Sequence, residues 1–318
     1  MKQKPIIVFL TGGLGNQLFQ LANALTLDPE RAIHLEWVLG RPRCNSKGFP
    51  DIADFRLPER VQLLPLTKRS WLTSKAAGYI LRSHISPKAW ERSGIFKAIL
   101  NLAGNVIFSA YFKKVIKFEC GVGIGFSPIS ITRFSSFVIG YFQSYKFINH
   151  KTAFEDLKNL KPEVLNEEID RYKALANVEK PIIAHFRFGD YKNEKTFGIP
   201  ALSYYQKSLA ALVSQHPNSK IWVFSDEKNE AEKVFPSEFR SKARWITDDQ
   251  FSSVETMEIM RLGISYVIAN STFSWWAATL SMTENPKVIC PEPWFKLDSE
   301  PLGLIPPSWK RVQAWQRI

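Results

Sequence analysis

Three residues suited to chemistry stand close together at the end of a short apolar run. His185, Arg187 and Asp190 follow the run at 182–184, with a glycine at 189 between them. Such a run is typical of a buried parallel strand, and ligands bind outside the carboxyl ends of these strands. Arginine suits a phosphate because its planar fork donates two parallel hydrogen bonds and keeps its charge. We therefore predict a ligand site here; the alternative is a surface Arg–Asp pair that only caps the strand.

Hydroxyl and amide groups form a second cluster after another apolar run. Asn270, Ser271, Thr272 and Ser274 follow the run at 265–269 and open a predicted helix. The free N–H groups and hydroxyls of a helix start can bind a phosphate. Ser271 or Thr272 would also serve as an ordinary N-cap, so both interpretations stay open.

Other polar residues end or flank the neighbouring predicted strands. Ser225 and Asp226 follow the run at 220–224, and Glu255 lies on a predicted helix. We predict that Ser225 and Asp226 face the same ligand. The Glu255 carboxylate can accept the N1–H and N2–H₂ donors of a guanine, unless it is only solvated. Adjacent acids at 248–249 suggest a metal, but such pairs are commoner as helix caps, so we expect neither a metal nor another cofactor.

These residues need a sheet that brings several strand ends together. The second half of the chain alternates apolar runs with helical patterns, with strands predicted at 181–186, 220–224, 243–246, 265–269 and 287–290. This alternation is typical of an open parallel sheet with helices on both faces. The carboxyl ends of parallel strands share one edge, so their loops converge on one crevice, which favours a nucleotide site.

A glycine-rich loop follows the first predicted strand, at 5–10. The loop residues that can touch a ligand are Gly13, Gly15, Asn16 and Gln17. A P-loop is excluded because no Gly-Lys-Ser/Thr follows. A dinucleotide fingerprint would use Glu36 for the ribose, but Leu18 occupies the position of its third small residue. The remaining interpretation is a loop that touches sugar or phosphate through its backbone and its two amides.

Residues 60–118 are strongly basic. They contain eleven Lys or Arg against one acid, Glu91, so their net charge of +10 is most of the +12 of the whole chain. Apolar and aromatic residues alternate with these charges, which is typical of helices that lie on an anionic membrane surface. The alternative is a solvated basic face, and no nucleic-acid-binding module is recognisable.

The chain is long enough for two domains, which we place at 1–150 and 151–318, with a last helix that packs back on the first domain. Its 45% hydrophobic and 23% charged residues are typical of a soluble protein, and no run approaches the length of a membrane span. Three widely spaced cysteines indicate reduced thiols. We expect a cytoplasmic protein, peripheral on the inner face of the membrane.

Several of these segments resemble the α-1,2-fucosyltransferase family of glycosyltransferases when taken together. The matching segments are Gly12-Gly13-Leu14-Gly15-Asn16-Gln17, Gly140-Tyr141-Phe142-Gln143-Ser144, His185-x-Arg187-x-Gly189-Asp190-Tyr191, Phe224-Ser225-Asp226-Glu227 and Asn270-Ser271-Thr272-Phe273-Ser274-Trp275-Trp276-Ala277. The likeness runs from about residue 6 to about residue 280. The chain departs from the family at Phe188, where a second arginine is usual.

The resemblance implies an α/β fold of two Rossmann-like domains facing a cleft, the arrangement called GT-B. It implies inverting, metal-independent transfer of L-fucose from GDP-fucose to a hydroxyl, O2 of galactose, of a glycan or lipid-linked acceptor in cell-surface polysaccharide or O-antigen synthesis. Arg187 would neutralise the departing β-phosphate. His185 would lie near the nucleotide, and Asp190 would act as base or orienting group.

Two other functions stay open on the sequence. One is an NAD-dependent oxidoreductase that uses the glycine loop and Glu36, and Leu18 argues against it. The other is a catalytically inert protein that binds glycan or nucleic acid. That protein would keep the fold and turn over no donor.

Overall fold

A computed structural model of the protein describes residues 4–315 except 41, 66–74, 82–93, 121–124, 127, 128, 130, 132, 133, 165, 193, 195, 248–250, 298, 299, 301 and 302. The chain forms two compact units. The first contains Met1–Leu160 and Pro301–Ile305, and the second contains Lys161–Glu300 and Pro306–Ile318. Both are α/β units, as the sequence predicted.

The first unit is built on a parallel sheet in the order β3-β2-β1-β5-β4. Its strands are β1 (Ile6–Phe9), β2 (Ile33–Glu36), β3 (Val61–Leu63), β4 (Ile116–Cys120) and β5 (Ser135–Ile139). Its helices are α1 (Leu14–Leu27), α2 (residues 75–81), α3 (Gly94–Phe112) and α4 (Lys151–Lys158). Strand β1 is buried on both faces because every one of its residues is apolar and helices cover the sheet.

The second unit carries a parallel sheet in the order β11-β10-β9-β6-β7-β8. Its strands are β6 (Ile182–Phe186), β7 (Ile221–Ser225), β8 (Ala243–Thr247), β9 (Ser265–Val267), β10 (Lys287–Glu292) and β11 (Lys310–Gln313). Its helices are α5 (Glu167–Glu179), α6 (Leu202–Gln215), α7 (Lys228–Val234), α8 (Ser253–Met260) and α9 (Thr272–Thr279). Five of these strands lie where the sequence predicted them.

The strand order of the second unit is that of a doubly wound nucleotide-binding sheet. If its strands are numbered 1 to 6 from β6 to β11, their order across the sheet from β8 to β11 is 3-2-1-4-5-6. The direction of winding reverses between β6 and β9. Ligands bind at such a reversal, outside the carboxyl ends of the two strands. The prediction of two Rossmann-like domains is therefore confirmed, and the crevice of this unit lies between the loops after β6 and β9.

The end of the chain differs from the prediction of a last helix. The described residues at 310–313 form strand β11, which pairs with β10 at the edge of the second sheet. Just before β11, residues Pro301–Ile305 belong to the first unit. There the carbonyl of Gly303 accepts hydrogen bonds from the Ser144 hydroxyl at 2.8 Å and the Tyr145 N–H at 2.9 Å. No helix among the described residues is long and apolar enough to span a bilayer.

Candidate active site

The guanidinium of Arg187 is held between two carboxylates just beyond the carboxyl end of β6. Its Nη1 lies 3.0 Å from Oδ2 of Asp226, and its Nη2 donates to Oδ1 of Asp190 at 2.6 Å. The guanidinium carbon also lies 5.6 Å from the centre of the Tyr191 ring. The Arg187 side chain keeps 26% exposure. The carboxylates use only part of the five N–H donors, so the fork can still bind an anion.

Asp226 is fixed independently of Arg187. Its Oδ1 accepts a hydrogen bond from the Phe188 N–H at 2.9 Å. Gly189 makes room for it, since a Cβ there would stand 2.6 Å from Oδ2 of Asp226. The oxygens of Asp226 thus hold Arg187 and the loop, and its predicted direct contact with donor stays a prediction. The buried hydroxyl of Ser225 accepts the Glu227 N–H at 3.0 Å, and its predicted contact with donor also stays a prediction.

The charges around Arg187 keep it protonated. Burial opposes its charge, but the carboxylates of Asp226 and Asp190 outweigh burial and raise its pKa. Arg187 is therefore a permanent cation beside the reversal point of the sheet.

The loop after β6 is tied to the loop after β9. The Tyr191 hydroxyl donates to the Asn270 carbonyl at 3.1 Å, and Nδ2 of Asn270 donates to the Phe197 carbonyl at 2.8 Å. Oδ1 of Asn270 is buried and has no hydrogen-bond partner within the described part of the chain. From the sequence Tyr191 was named only as part of a motif. Its contacts with both Arg187 and the loop after β9 were not predicted.

His185 is a buried neutral imidazole. It is 6% exposed, its backbone carbonyl accepts the Tyr205 hydroxyl at 3.2 Å, and its ring centre lies 6.2 Å from that of Phe273. Burial and then the charge of Arg187 lower its pKa from 6.5 to about 3. Its Nδ1 is buried and meets no partner among the described residues. A neutral ring nitrogen beside Arg187 is suited to a hydrogen bond with a ligand.

The first turn of α9 offers fewer free groups than predicted. The Ser271 hydroxyl accepts the Phe273 N–H at 3.3 Å, so Ser271 is the N-cap. Ser274 is fully buried and its hydroxyl donates to the Ser271 carbonyl at 3.2 Å. Both hydroxyls therefore support the helix, and the Ser274 O–H is occupied there, whereas the Ser271 O–H can still donate, so its contact with donor stays a prediction. Thr272, which is half-buried, keeps that prediction.

Glu255 completes a capping box, and its predicted contact with a guanine stays a prediction. Its Oε2 accepts the Ser252 N–H at 2.8 Å, the Ser252 hydroxyl accepts the Glu255 N–H at 3.3 Å, and its Oε1 accepts Nδ2 of Asn166 at 2.8 Å. The spacing Ser-x-x-Glu was the sequence signal for this role.

The acidic pair at 248–249 lies outside the described residues. Within the described ranges, no three His, Cys, Asp or Glu side chains are grouped to hold a metal ion.

The glycine loop of the first unit is organised by Gln17. This side chain is fully buried, donates to the carbonyls of Gly12 and Arg43 at 3.0 and 3.1 Å, and accepts the Ile52 N–H at 2.9 Å. Its predicted ligand contact is therefore corrected to a structural role. Gly15 is buried inside α1, so its predicted ligand contact is also corrected.

Two loop residues stay accessible. Gly13 is half-exposed, and half-buried Asn16 accepts Nε2 of Gln143 at 2.8 Å. Their contact with a ligand stays a prediction.

Glu36 is 3% exposed and its carboxylate accepts the Leu39 N–H at 3.1 Å. A carboxylate turned inward in this way is poorly placed for a ribose, which disfavours the NAD-dependent alternative.

The comparison with protein families decides the affiliation. The model of glycosyl transferase family 11 matches residues 127–298, more than half of the chain. The chain belongs to glycosyl transferase family 11. The family predicted from the sequence segments is thus confirmed, and the matched range contains Arg187, Asp190, Asp226 and Asn270.

Two curated relatives of this family 11 chain come from Escherichia coli. The "Alpha-1,2-colitosyltransferase" is 25% identical over 97% of this chain and 99% of its own length. The "O-antigen biosynthesis glycosyltransferase WbnK" is 28% identical over 90% of this chain and 93% of its own length. Among solved structures, a family 9 glycosyl transferase from Veillonella parvula DSM 2008 matches with a TM-score of 0.52 and 9% identity. The match covers 100% of this chain and 89% of the length of that structure. A likeness of this kind supports the fold alone.

Phe188, the departure from the family pattern, belongs to the hydrophobic core of the second unit. It is 4% exposed and packs in one cluster with Phe186, Tyr205 and Phe235. Its backbone N–H holds Asp226, while its side chain points away from Arg187 into this core. The Phe188 ring therefore fills the junction between β6 and the loop that follows it.

Proposed function

We propose that this family 11 glycosyltransferase transfers L-fucose from GDP-fucose to a hydroxyl of a glycan, O2 of galactose, with inversion at the anomeric carbon. The observation that carries this proposal is the permanent cation of Arg187, fixed by Asp226 and Asp190 at the reversal point of a nucleotide-binding sheet. The name of the relative WbnK supports an acceptor in O-antigen synthesis.

The reaction needs charge stabilisation at the leaving group. The acceptor oxygen bonds to the anomeric carbon as the bond to the β-phosphate oxygen breaks, and its electron pair leaves with GDP. Negative charge grows on that phosphate, so a pre-positioned guanidinium stabilises the transition state more than the ground state. Arg187 fits this role without a metal, and the backbone N–H of Thr272 at the start of α9 can assist it.

Asp190 is the proposed acceptor or orienter of the proton that the attacking hydroxyl loses. Its carboxylate is 63% exposed, and only one of its oxygens is bonded to Arg187. His185 remains neutral and is proposed to donate or accept a hydrogen bond at the nucleotide. The imidazole cannot act as a second cation there because burial and Arg187 hold its pKa at about 3.

A second donor sugar follows from the other curated relative. That protein is named as an α-1,2-colitosyltransferase. Colitose is L-fucose without the 3-hydroxyl, so the two sugars share the 6-methyl group and the anomeric chemistry. Colitosyl transfer with the same linkage is therefore the second candidate activity.

Calorimetry with GDP, UDP and CDP tests the nucleotide, and incubation with nucleotide sugars tests the reaction. We expect GDP to bind tightest and GDP-fucose to be consumed faster than GDP-mannose, with slow hydrolysis when acceptor is absent. Equal or stronger UDP binding would contradict the guanine assignment. Faster use of nucleotide-linked colitose than of GDP-fucose would establish the second candidate. Binding of GDP with no turnover of any donor would indicate the catalytically inert alternative.

A further inference from the structure

Helix α3 presents an apolar face to solvent. Ile99, Leu102 and Val106 are 59%, 66% and 66% exposed. Their spacing of three and four residues places them on one side of the helix. The opposite side carries the buried Phe108 and Tyr111, which pack in the core of the first unit. A helix that is apolar on both faces contacts protein with one face and leaves the other for something else.

The apolar surface continues beyond α3. Val115 and Phe134 are 62% and 49% exposed. Together with Val106, Ile116, Lys117 and the polar Asn105 and Ser109 they line a groove of about 550 Å³. Scattered exposed apolar residues are ordinary in proteins, but a contiguous apolar surface with a groove indicates a site of contact.

Helix α2 lies in the same layer and repeats this arrangement. Its Ala77, Ile80 and Leu81 are buried in the cluster that contains Phe108 of α3. On its other side Tyr79 is 66% exposed. Tyrosine, with an apolar ring and a polar tip, is enriched where protein meets the membrane–water boundary.

The charge around this surface identifies the partner. Residues 60–118 have a net charge of +10 in the sequence, and among their described lysines Lys113 directly follows α3 and Lys117 lines the groove. Anionic lipid headgroups attract such a surface, whereas a second copy with the same charge is repelled. A nucleic acid would match the charge but not the exposed Ile99, Leu102 and Val106.

We infer that the outer faces of α2 and α3 form a docking surface for an anionic phospholipid bilayer. Ile99, Leu102 and Val106 enter the boundary between headgroups and acyl chains, Tyr79 lies at the headgroup level, and the lysines contact the headgroup phosphates. Such a helix lies in the plane of the membrane surface. This inference does not depend on the donor or acceptor of the enzyme.

Sedimentation of the full chain with vesicles tests the inference. We expect binding to phosphatidylcholine vesicles that contain phosphatidylglycerol, little binding to phosphatidylcholine alone, and weaker binding as salt rises. The variant L102E/V106E should bind the anionic vesicles at least about tenfold more weakly, because it places two carboxylates where the apolar contact forms. Its thermal unfolding midpoint should stay unchanged because both positions are exposed.

Matched changes elsewhere separate this surface from general effects. Val178 on α5 is 82% exposed, so V178E makes the same kind of change in the other unit and should bind like the wild type. Lys113→Glu should weaken binding, while Lys207→Glu on α6 should not. Wild type that ignores anionic vesicles at low salt overturns the inference. Equal losses in V178E and L102E/V106E overturn it too. A wild-type dimer that L102E/V106E makes monomeric, without vesicle binding, would identify a subunit interface instead.

Discussion

Arg187 and Asp226 form an ion pair, with Nη1 of the arginine 3.0 Å from Oδ2 of the aspartate. The two residues follow neighbouring strands, β6 and β7, and the second oxygen of Asp226 is bonded to the backbone after β6. The direction of the guanidinium is therefore set by the sheet itself. A cation fixed in this way needs little reorganisation when charge develops on a ligand.

Arg187→Ala is expected to lower turnover by roughly a hundredfold or more, equivalent to about 3–4 kcal/mol, while the fold is kept. Arg187→Lys should restore only part of the rate because an ammonium group cannot form the two-pronged contact. Steady-state kinetics with GDP-fucose measure both. Lys192→Ala is the matched control, since that nearby lysine pairs with Glu227 at the surface. Near-normal activity in Arg187→Ala would refute the assignment to the leaving group.

Asp226→Asn should reduce kcat through Arg187 and not through a contact of its own. Gly189→Ala should do the same, because its new Cβ would displace Oδ2 of Asp226. If both act by releasing Arg187, the double variant R187A/D226N will be no slower than R187A. Additive losses would mean that Asp226 contacts the ligand directly.

The strands of the second sheet were largely predictable because each is an apolar run between turn signals. Strand β11 was not, since Lys310 to Gln313 contains one apolar residue and is a strand only because β10 offers it an edge. Strands β3 and β4 of the first unit were not predicted either, because β3 has only three residues and β4 interrupts its apolar residues with Lys117 and Glu119.

The site was predictable in its location and less so in its roles. The strand ends indicated the reversal point, and with it Arg187 and Asp190. Sequence could not tell that Asp226 faces Arg187, because that contact depends on the register of β6 with β7. Buried hydroxyls such as Ser274 look like ligand contacts in a sequence, yet here they satisfy their own helix.

Phe188→Arg is expected to unfold the second unit more easily and not to improve nucleotide binding. The side chain lies in the core, where an unpaired guanidinium costs several kcal/mol, roughly 3 or more. Urea unfolding measures this, and Phe188→Leu serves as the control for lost volume, with a cost of about 1–2 kcal/mol. A stable Phe188→Arg variant that binds GDP more tightly would show that position 188 faces the phosphate.

Glu255→Ala and Ser252→Ala should both lower the free energy of unfolding by about 1 kcal/mol, as the loss of a helix cap does. Calorimetric binding of GDP should stay at the wild-type level in both. A loss of GDP affinity confined to Glu255→Ala would instead restore the guanine contact predicted from the sequence.

His185 should make the fold sensitive to acid. Burial and Arg187 lower its folded pKa from 6.5 to about 3, so between these values the unfolded chain binds a proton that the folded chain does not. Stability is then lost as pH falls below 6.5. From about pH 7 to about pH 5 the loss due to this group is about 2 kcal/mol.

Urea unfolding of His185→Asn at both pH values checks this expectation. The variant should lose less stability on acidification than the wild type, whatever its stability at neutral pH. His216→Asn, at the end of α6, is the control and should follow the wild type. Identical acid sensitivity in His185→Asn and the wild type would show that this imidazole titrates normally.

The return of the chain to the first unit at Pro301–Ile305 has a consequence for dissection of the protein. No one cut yields both units whole. A fragment that stops at Glu300 lacks β11, and a fragment that begins at Lys161 carries Gly303 away from Ser144 and Tyr145. A protease nick after Leu160 would therefore separate Gly303 in the chain from Ser144 and Tyr145, although all three belong to one unit. A ribosome must pass residue 313 before β11 can pair with β10.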